Sequence, residues 1–137
     1  MYSINVFKQY LNFSASHFII FNNGNREPLH GHNYSIHFKL HSSTLNADMV
    51  LNFLDVKPLL KRICDSLDHR LLLPRENSFF KIEDDPQNNK NYVLKIVSKE
   101  NIYDQFSIPK KDILILPISN ISVECLSYYL LHKIQRK

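Results

Sequence analysis

The sequence predicts a single α+β domain over residues 1–137, and three observations carry that expectation. Residues 32–41 alternate apolar and polar side chains, and residues 54–67 and 122–134 repeat apolar side chains at spacings of three and four. At 137 residues, 44% hydrophobic and 22% charged, the chain is long enough to bury a core and ordinary in composition.

Residues 3–16 read as the first strand, with Phe7, Leu11, Phe13 and Ala15 on one parity and His17 continuing it. In the second strand His32, Tyr34, Ile36, Phe38 and Leu40 face one way, while Asn33, Ser35, His37, Lys39 and His41 face solvent. The Asn-, Gly- and Pro-bearing stretch 21–28 between them is a loop, and a turn follows over 42–48. Leu59, Leu60, Ile63, Cys64 and Leu67 then mark a helix from Leu54 to Leu67, with Pro58 tolerated in its first turn. Residues 83–91 are expected to be a polar loop leading into an inserted hairpin, Asn91–Val97 with Ile102–Ile108, that turns over 98–101. The whole insertion spans about 83–108. The last helix, Ser122 to Ile134, gathers Val123, Leu126, Leu130 and Ile134 on one side. His132, Lys133 and Arg136 complement the negative end of its dipole.

The formal net charge of +4 comes from scattered Lys and Arg rather than a dense block, which fits an anionic small molecule better than nucleic acid. No apolar run approaches the ~20 residues of a membrane span, and Met1–Lys8 has no signal-peptide pattern, so a cytoplasmic protein is expected. Cys64 and Cys125 lie in apolar helical stretches without metal spacing and read as buried thiols rather than a disulfide.

The chemistry centres on histidine. His30 and His32, two apart on a strand, point to one face, and His17 from the neighbouring strand completes a set of three imidazoles. Such a set suits Zn²⁺ and leaves a fourth position for water or substrate. Histidines bonded to backbone, or a closed structural site, are the plain alternative; no fourth Cys or His motif accompanies the three. Asp68 beside His69 would fix the imidazole tautomer for proton transfer, or simply place a His at a helix end.

Ser14-Ala-Ser-His17, His30-Gly-His-Asn-Tyr34 and Leu67-Asp-His69, in that order, resemble the 6-pyruvoyl-tetrahydropterin synthase family, which includes the 6-carboxy-tetrahydropterin synthases. The resemblance runs from about residue 4 to the chain end. It implies a tunnelling fold: antiparallel sheet with two helices on one face, assembled into a homohexamer of two trimers with active sites between subunits. It further implies zinc on His17, His30 and His32, a dihydropterin substrate, and Asp68 with His69 as a second catalytic pair.

Where the family's synthases carry a Cys before His-Gly-His, this chain has Asn25-Arg-Glu-Pro-Leu29, with Glu27 three residues ahead of His30. That resembles the family's Glu-bearing branch, which converts 7,8-dihydroneopterin triphosphate to 6-hydroxymethyl-7,8-dihydropterin for folate synthesis. A carboxylate in place of a thiolate should favour side-chain carbon–carbon cleavage, unless Glu27 is only a solvated loop charge. Ser122-Val-Glu124 is similar to the stretch that opens the family's second helix beside the pterin pocket, although a cap Ser and an acidic first turn would explain both residues. Asn52 stands where the family usually has Asp before the first helix, a difference expected to bear on a local cap or turn rather than on chemistry.

The resemblance also implies two more strands after the second helix, one carrying a Glu that anchors the pterin ring, whereas the sequence stops at Lys137. The expectation is therefore a two-strand sheet with exposed edges and an incomplete ring interface. Glu100 and Glu124 are the available substitute anchors, and Arg26, Arg70 and Lys81 the cations that could meet a triphosphate. Two other readings stand beside the lyase: a 6-pyruvoyl-tetrahydropterin-forming synthase, and a shortened, noncatalytic relative that holds zinc or pterin.

Overall fold

The computed structural model describes residues 1–98 and 101–135; Glu100, Arg136 and the tip of the 98–101 turn lie outside the described residues. Strands β1 (Tyr2–His17) and β2 (His30–Ser42) form a long antiparallel hairpin. Helix α1 (Phe53–Leu67) crosses one face, followed by β3 (Arg70–Pro74). Strands β4 (Phe80–Asp85), β5 (Asn88–Ser98) and β6 (Asn101–Pro109) make a separate antiparallel sheet. Strand β7 (Ile113–Leu116) and helix α2 (Val123–Gln135) complete the order.

The α+β expectation holds, with both helices packed on one face of the main sheet. The expected two-strand sheet does not hold. β3 joins the edge of β1 in parallel at Ala15 and Ser16, and β7 pairs in parallel with β3, giving the order β2-β1-β3-β7. These two strands escaped periodicity because they are covered on both sides. Leu72 and Leu116 belong to the core under the helices, whereas Leu71, Leu73 and Ile113 belong to a second core under the three-stranded sheet. A strand buried on both faces reads as a continuous apolar run rather than an alternation.

The parity assigned to β1 is also corrected. Val6 is buried and Phe7 is exposed, while Leu11, Phe13, Ala15 and His17 all point inward. The register moves from Phe7 opposite His37 to Asn12 opposite Ser35, so five steps along β1 match two along β2. A bulge of odd length turns the strand over, and both halves thereby bury their apolar side chains.

Residues 83–91 are strand rather than loop. Only Pro86 and Gln87 separate β4 from β5, and the Asp85 carboxylate accepts the Gln87 N–H at 2.9 Å. Their polar composition serves a solvated sheet face. Lys95 meets Glu83 at 3.1 Å, Lys110 meets Asp84 at 2.8 Å, and the Ser107 hydroxyl donates to Asp85 at 2.6 Å.

α1 buries Val56, Leu60, Ile63, Cys64 and Leu67 along one stripe. Asn52 caps it, its side-chain oxygen accepting the Leu54 N–H at 2.9 Å. Pro58 falls in the second turn rather than the first, because the helix already begins at Phe53. It removes one hydrogen bond that would have reached the carbonyl of Leu54. Both cysteines are free, Cys64 buried and Cys125 half-buried. Among the described residues no helix is long and apolar enough to cross a membrane.

Leu72 is 0% exposed at the junction of β1, β7 and both helices. Leu72→Ala is expected to lower unfolding stability by about 2–5 kcal/mol, read from the midpoint of urea denaturation. A loss below about 1 kcal/mol would show that β3 is not built into the core as described.

Candidate metal and active site

His17 ends β1 and His30 begins β2, and the two are directly opposed in the hairpin, with Ala15 opposite His32. Because strand side chains alternate, all three rings reach the same face. The Nε2 atoms of His17 and His30 are 3.2 Å apart, those of His30 and His32 3.0 Å, and one ring nitrogen from each lies within 4.8 Å of the others. His17 is buried, His30 half-buried and His32 exposed, so the cluster opens outward.

The outer nitrogens are already committed. His17 Nδ1 lies 2.7 Å from the Ile121 carbonyl, and His30 Nδ1 lies 2.6 Å from the Pro28 carbonyl. A carbonyl only accepts, so each Nδ1 carries the hydrogen and each Nε2 turns a lone pair inward. Lone pairs at these separations repel unless a cation or proton lies among them. Zn–N bonds of ~2.0–2.1 Å in a tetrahedron space the nitrogens by about 3.3–3.4 Å, close to the separations found. The three imidazoles therefore fit zinc, with one position left open, since the cluster among the described residues contains no fourth ligand. Burial pushes His17 below the usual imidazole range, although the Ile121 carbonyl pulls the other way, so the ring is neutral and ready to bind a metal at neutral pH.

A cleft of about 420 Å³ adjoins this cluster, lined by His17, His32, Glu27, Tyr34, Ser122 and Glu124. Glu27 is tied at both ends to one residue: its N–H donates to the Ile19 carbonyl at 2.9 Å, and its Oε1 accepts the Ile19 N–H at 3.1 Å. Ser122 caps α2, accepting the Cys125 N–H at 3.2 Å, and Glu124 stands in the first turn. The capping role and a place in the cleft coexist.

Tyr34, which the sequence places only on the apolar face of β2, also lines the cleft. Its ring stacks on Phe13 with centroids 4.9 Å apart. Burial, and then the nearby Glu27 carboxylate, push its hydroxyl above the usual tyrosine range and keep it protonated. The signal was available, because Tyr34 shares the parity of His32. Asn120 had no such signal. Its side chain accepts the Ile20 N–H at 3.2 Å and donates to the Ile20 carbonyl at 2.8 Å, which holds Ile121 against His17.

Asp68 and His69 lie elsewhere. Asp68 accepts the Ser14 N–H at 2.8 Å, His69 N–H donates to the Ser14 carbonyl at 2.6 Å, and His69 Nδ1 is 2.9 Å from Asp68. The Ser14 N–H holds the Asp68 carboxyl below the usual carboxylate range. His69 has φ of 59°, strained for a non-glycine residue, and its side chain is 82% exposed. It lines a groove of about 560 Å³ with Ser14, Ser16, Arg70 and Asp112, and His32 and Asn33 line both this groove and the Glu27 cleft. One chain therefore unites the imidazole cluster with Glu27, Ser122 and Glu124, and places His69 not in that cleft but in the groove that adjoins it at His32 and Asn33.

Of the candidate phosphate cations, Arg26 is engaged by Asp104 at 2.9 Å, and Arg70 donates to the Lys111 carbonyl at 3.0 Å beside His69. Lys81 is exposed on β4.

A family model described as 6-pyruvoyl tetrahydropterin synthase matches residues 6–137. A protein of Methanocaldococcus jannaschii, provisionally named a 6-carboxy-5,6,7,8-tetrahydropterin synthase, is 33% identical over 127 residues, covering 90% of this chain and 71% of its own length. The solved 6-pyruvoyl tetrahydropterin synthase of Plasmodium falciparum superposes with a TM-score of 0.85 at 29% identity, over 97% of this chain and 77% of that one. The Plasmodium vivax protein of the same name gives 0.84 at 28% identity with the same coverage, including a variant in which a glutamate described as catalytic is replaced by alanine. This chain spans about three quarters of the length of these relatives. With its imidazole cluster on the paired strands and both helices on one face, it belongs to the 6-pyruvoyl tetrahydropterin synthase family.

Proposed function

We propose that this protein is a zinc-dependent pterin lyase that converts 7,8-dihydroneopterin triphosphate to 6-hydroxymethyl-7,8-dihydropterin, supplying folate synthesis. One observation carries the reading: the Glu27 carboxylate, fixed by the Ile19 N–H, shares a cleft with the metal-binding histidines. A glutamate described as catalytic in the Plasmodium vivax relative supports a glutamate in that role.

His17, His30 and His32 would hold zinc, which when bound supplies Lewis-acid polarisation of the substrate's side-chain oxygens. Glu27 accepts the proton of the second side-chain hydroxyl. The bond between the first two side-chain carbons breaks, leaving an aldehyde on the phosphorylated fragment. The electron pair passes to the first carbon, where the pterin ring delocalises it, and a proton on that carbon completes the hydroxymethyl group. His69, oriented by Asp68, returns that proton. Glu124 and the capped Ser122 line the same cleft and hold the pterin.

The exposure of His69 and its place in the adjoining groove rather than in the Glu27 cleft support a site completed by a second copy, in a homohexamer of two trimers. In the same reading residues 1–137 act as one cytoplasmic pterin-synthase-like unit, with the sheet β4–β6 inserted into it.

Incubation with dihydroneopterin triphosphate is expected to yield 6-hydroxymethyl-dihydropterin, with Glu27→Ala reducing kcat by about 10²–10⁴-fold. A 6-pyruvoyl product, no turnover by the native protein, or an unchanged rate in the variant would overturn the assignment.

Purified protein should carry one zinc per chain at neutral pH and lose it in His32→Ala. His17 has a depressed folded pKa, so the unfolded chain binds the extra proton first. Stability of the metal-free protein should thus be full above about pH 6.5 and fall as the pH drops through the folded value. Zinc retention should weaken over the same window, because protons compete for the ligand nitrogens. Metal analysis and melting curves from pH 5 to 8 test both, and a pH-independent melting temperature would contradict the His17 assignment.

Mixing Glu27→Ala and His69→Ala chains by unfolding and reassembly is expected to restore activity in a fraction of sites. No recovery, with each variant inactive and correctly assembled, would place both groups in one chain.

A further inference from the structure

We propose that Arg26, clamped by Asp104 of the β4–β6 sheet, is a positioning residue for Glu27, and that this sheet thereby braces the catalytic loop. The inference rests on the reading of Glu27 as the base.

The chain between β1 and β2 folds back on itself over residues 20–26. Ile20 and Arg26 pair as an antiparallel bridge, the Phe21 N–H donates to the Asn25 carbonyl at 2.7 Å, and Gly24 turns with φ of 86° and donates to the Phe21 carbonyl at 2.9 Å. Arg26 closes this small hairpin immediately before Glu27. The Glu27 N–H bond to Ile19 holds the 26–27 peptide, but nothing in the hairpin itself holds the following peptide, whose carbonyl is that of Glu27 and whose Pro28 nitrogen has no hydrogen to donate.

The guanidinium supplies that restraint. Its Nε donates to Asp104 Oδ2 at 2.9 Å, and one terminal nitrogen donates to the Glu27 carbonyl at 2.9 Å. The same group lies over the Phe106 ring at 4.8 Å and the Phe18 ring at 5.5 Å, and those two rings stack on each other with centroids 5.8 Å apart. The Arg26 side chain is only 20% exposed. An exposed ion pair contributes little, since solvent screens it and two flexible side chains must be held. This pair differs because one planar fork is fixed by an acidic group on β6, by two aromatic faces and by the backbone of the residue it positions. A lysine keeps the charge but has neither the fork nor the flat face.

Glu27 is thus held from two sides. Ile19 binds its N–H and its carboxylate, and Arg26 binds its carbonyl. Asn120 secures the neighbouring Ile20 from the α2 side. The clamp fixes the peptide plane from which the carboxylate is aimed into the cleft, and misplacement of a catalytic group by about 1 Å can cost ~10²-fold in rate.

The test compares native protein, Asp104→Ala, Asp104→Asn and Arg26→Lys by amide hydrogen exchange and by steady-state turnover of dihydroneopterin triphosphate, all as the zinc-loaded assembly. In Asp104→Ala, exchange at the Ile19 and Glu27 amides should accelerate about tenfold while core amides such as Leu72 are unmoved. Its kcat should fall between about tenfold and 10²-fold with KM and zinc content unchanged. Asp104→Asn, which retains an acceptor oxygen, should recover most of the loss, and Arg26→Lys should not. Unaltered Ile19 exchange in Asp104→Ala overturns the proposal, as does an acceleration spread evenly over β1, β3 and β6, which would mark a general stability role. If Asp104→Ala fails to fold, the order of Asp104→Asn above Arg26→Lys in both readouts decides the matter. Should native protein show no turnover, the lyase reading falls, and the exchange measurements still support or overturn the clamp on their own.

Discussion

The register of the β1–β2 hairpin is the constraint on which the rest of the molecule depends. His17 faces His30, and Ala15 faces His32, so the three imidazoles meet only if the strands pair in this one alignment. A slip of one residue would send His30 and His32 to the opposite face and Ile36 and Tyr34 into solvent. The core therefore enforces the imidazole cluster. Phe13, Ala15 and Ile36 are buried on the side to which the histidines point, and the same packing that hides them converges the rings. The bulge between Phe7 and Asn12 lets the distal half of the hairpin satisfy its own burial without disturbing this end.

From that fixed end the polypeptide builds outward in both directions. On the helix side, Ile121 leads into α2, and its carbonyl orients His17 while the capped start of the helix forms one wall of the cleft. On the other side, β3 starts at the end of β1, so Asp68 and His69 grip the Ser14 backbone before the strand begins. Leu71 and Leu73 then carry a second core on which the three-stranded sheet rests. Cleft and groove meet at His32 and Asn33 on β2, and the groove reaches the start of β3 at Arg70 and Leu71.

What the sequence disclosed follows from where side chains sit relative to solvent. β2 and α1 each have one wet face, so their alternation and three-four spacing were readable and their limits fell within about two residues. β3 and β7 have none, and Leu71, Leu72 and Leu73 carry no period from which a strand can be distinguished. β4 failed for the converse reason, since Glu83, Asp84 and Asp85 pair with cations and hydroxyls across strands and look like loop in one dimension. At the site, the histidines, Glu27, Ser122 and Glu124 were legible because they sit in motifs. Asn120 and Asp104 were not, because Asn120 acts on Ile20, 100 positions away in sequence, and Asp104 on Arg26, 78 positions away.

The division between cleft and groove also explains an arrangement that would otherwise look wasteful. A His with 82% side-chain exposure and a left-handed backbone has no reason to be held so firmly for stability alone. Yet Asp68 spends one carboxylate oxygen on the Ser14 N–H and the other on the His69 ring, so the imidazole is oriented toward a surface rather than into its own core. Glu27 shows the inverse economy, with its carboxylate bound to the Ile19 N–H in the cleft it shares with His17 and His32. An acid–base pair needs its members within reach of one substrate. Glu27 and His69, which line adjoining hollows rather than a single one, satisfy that requirement under the proposed assembly, in which a neighbouring copy presents its His69 face to the Glu27 cleft. The strain at His69 is then the local cost of aiming a side chain outward, and the Ser14 backbone is the rigid support that makes the aim reproducible.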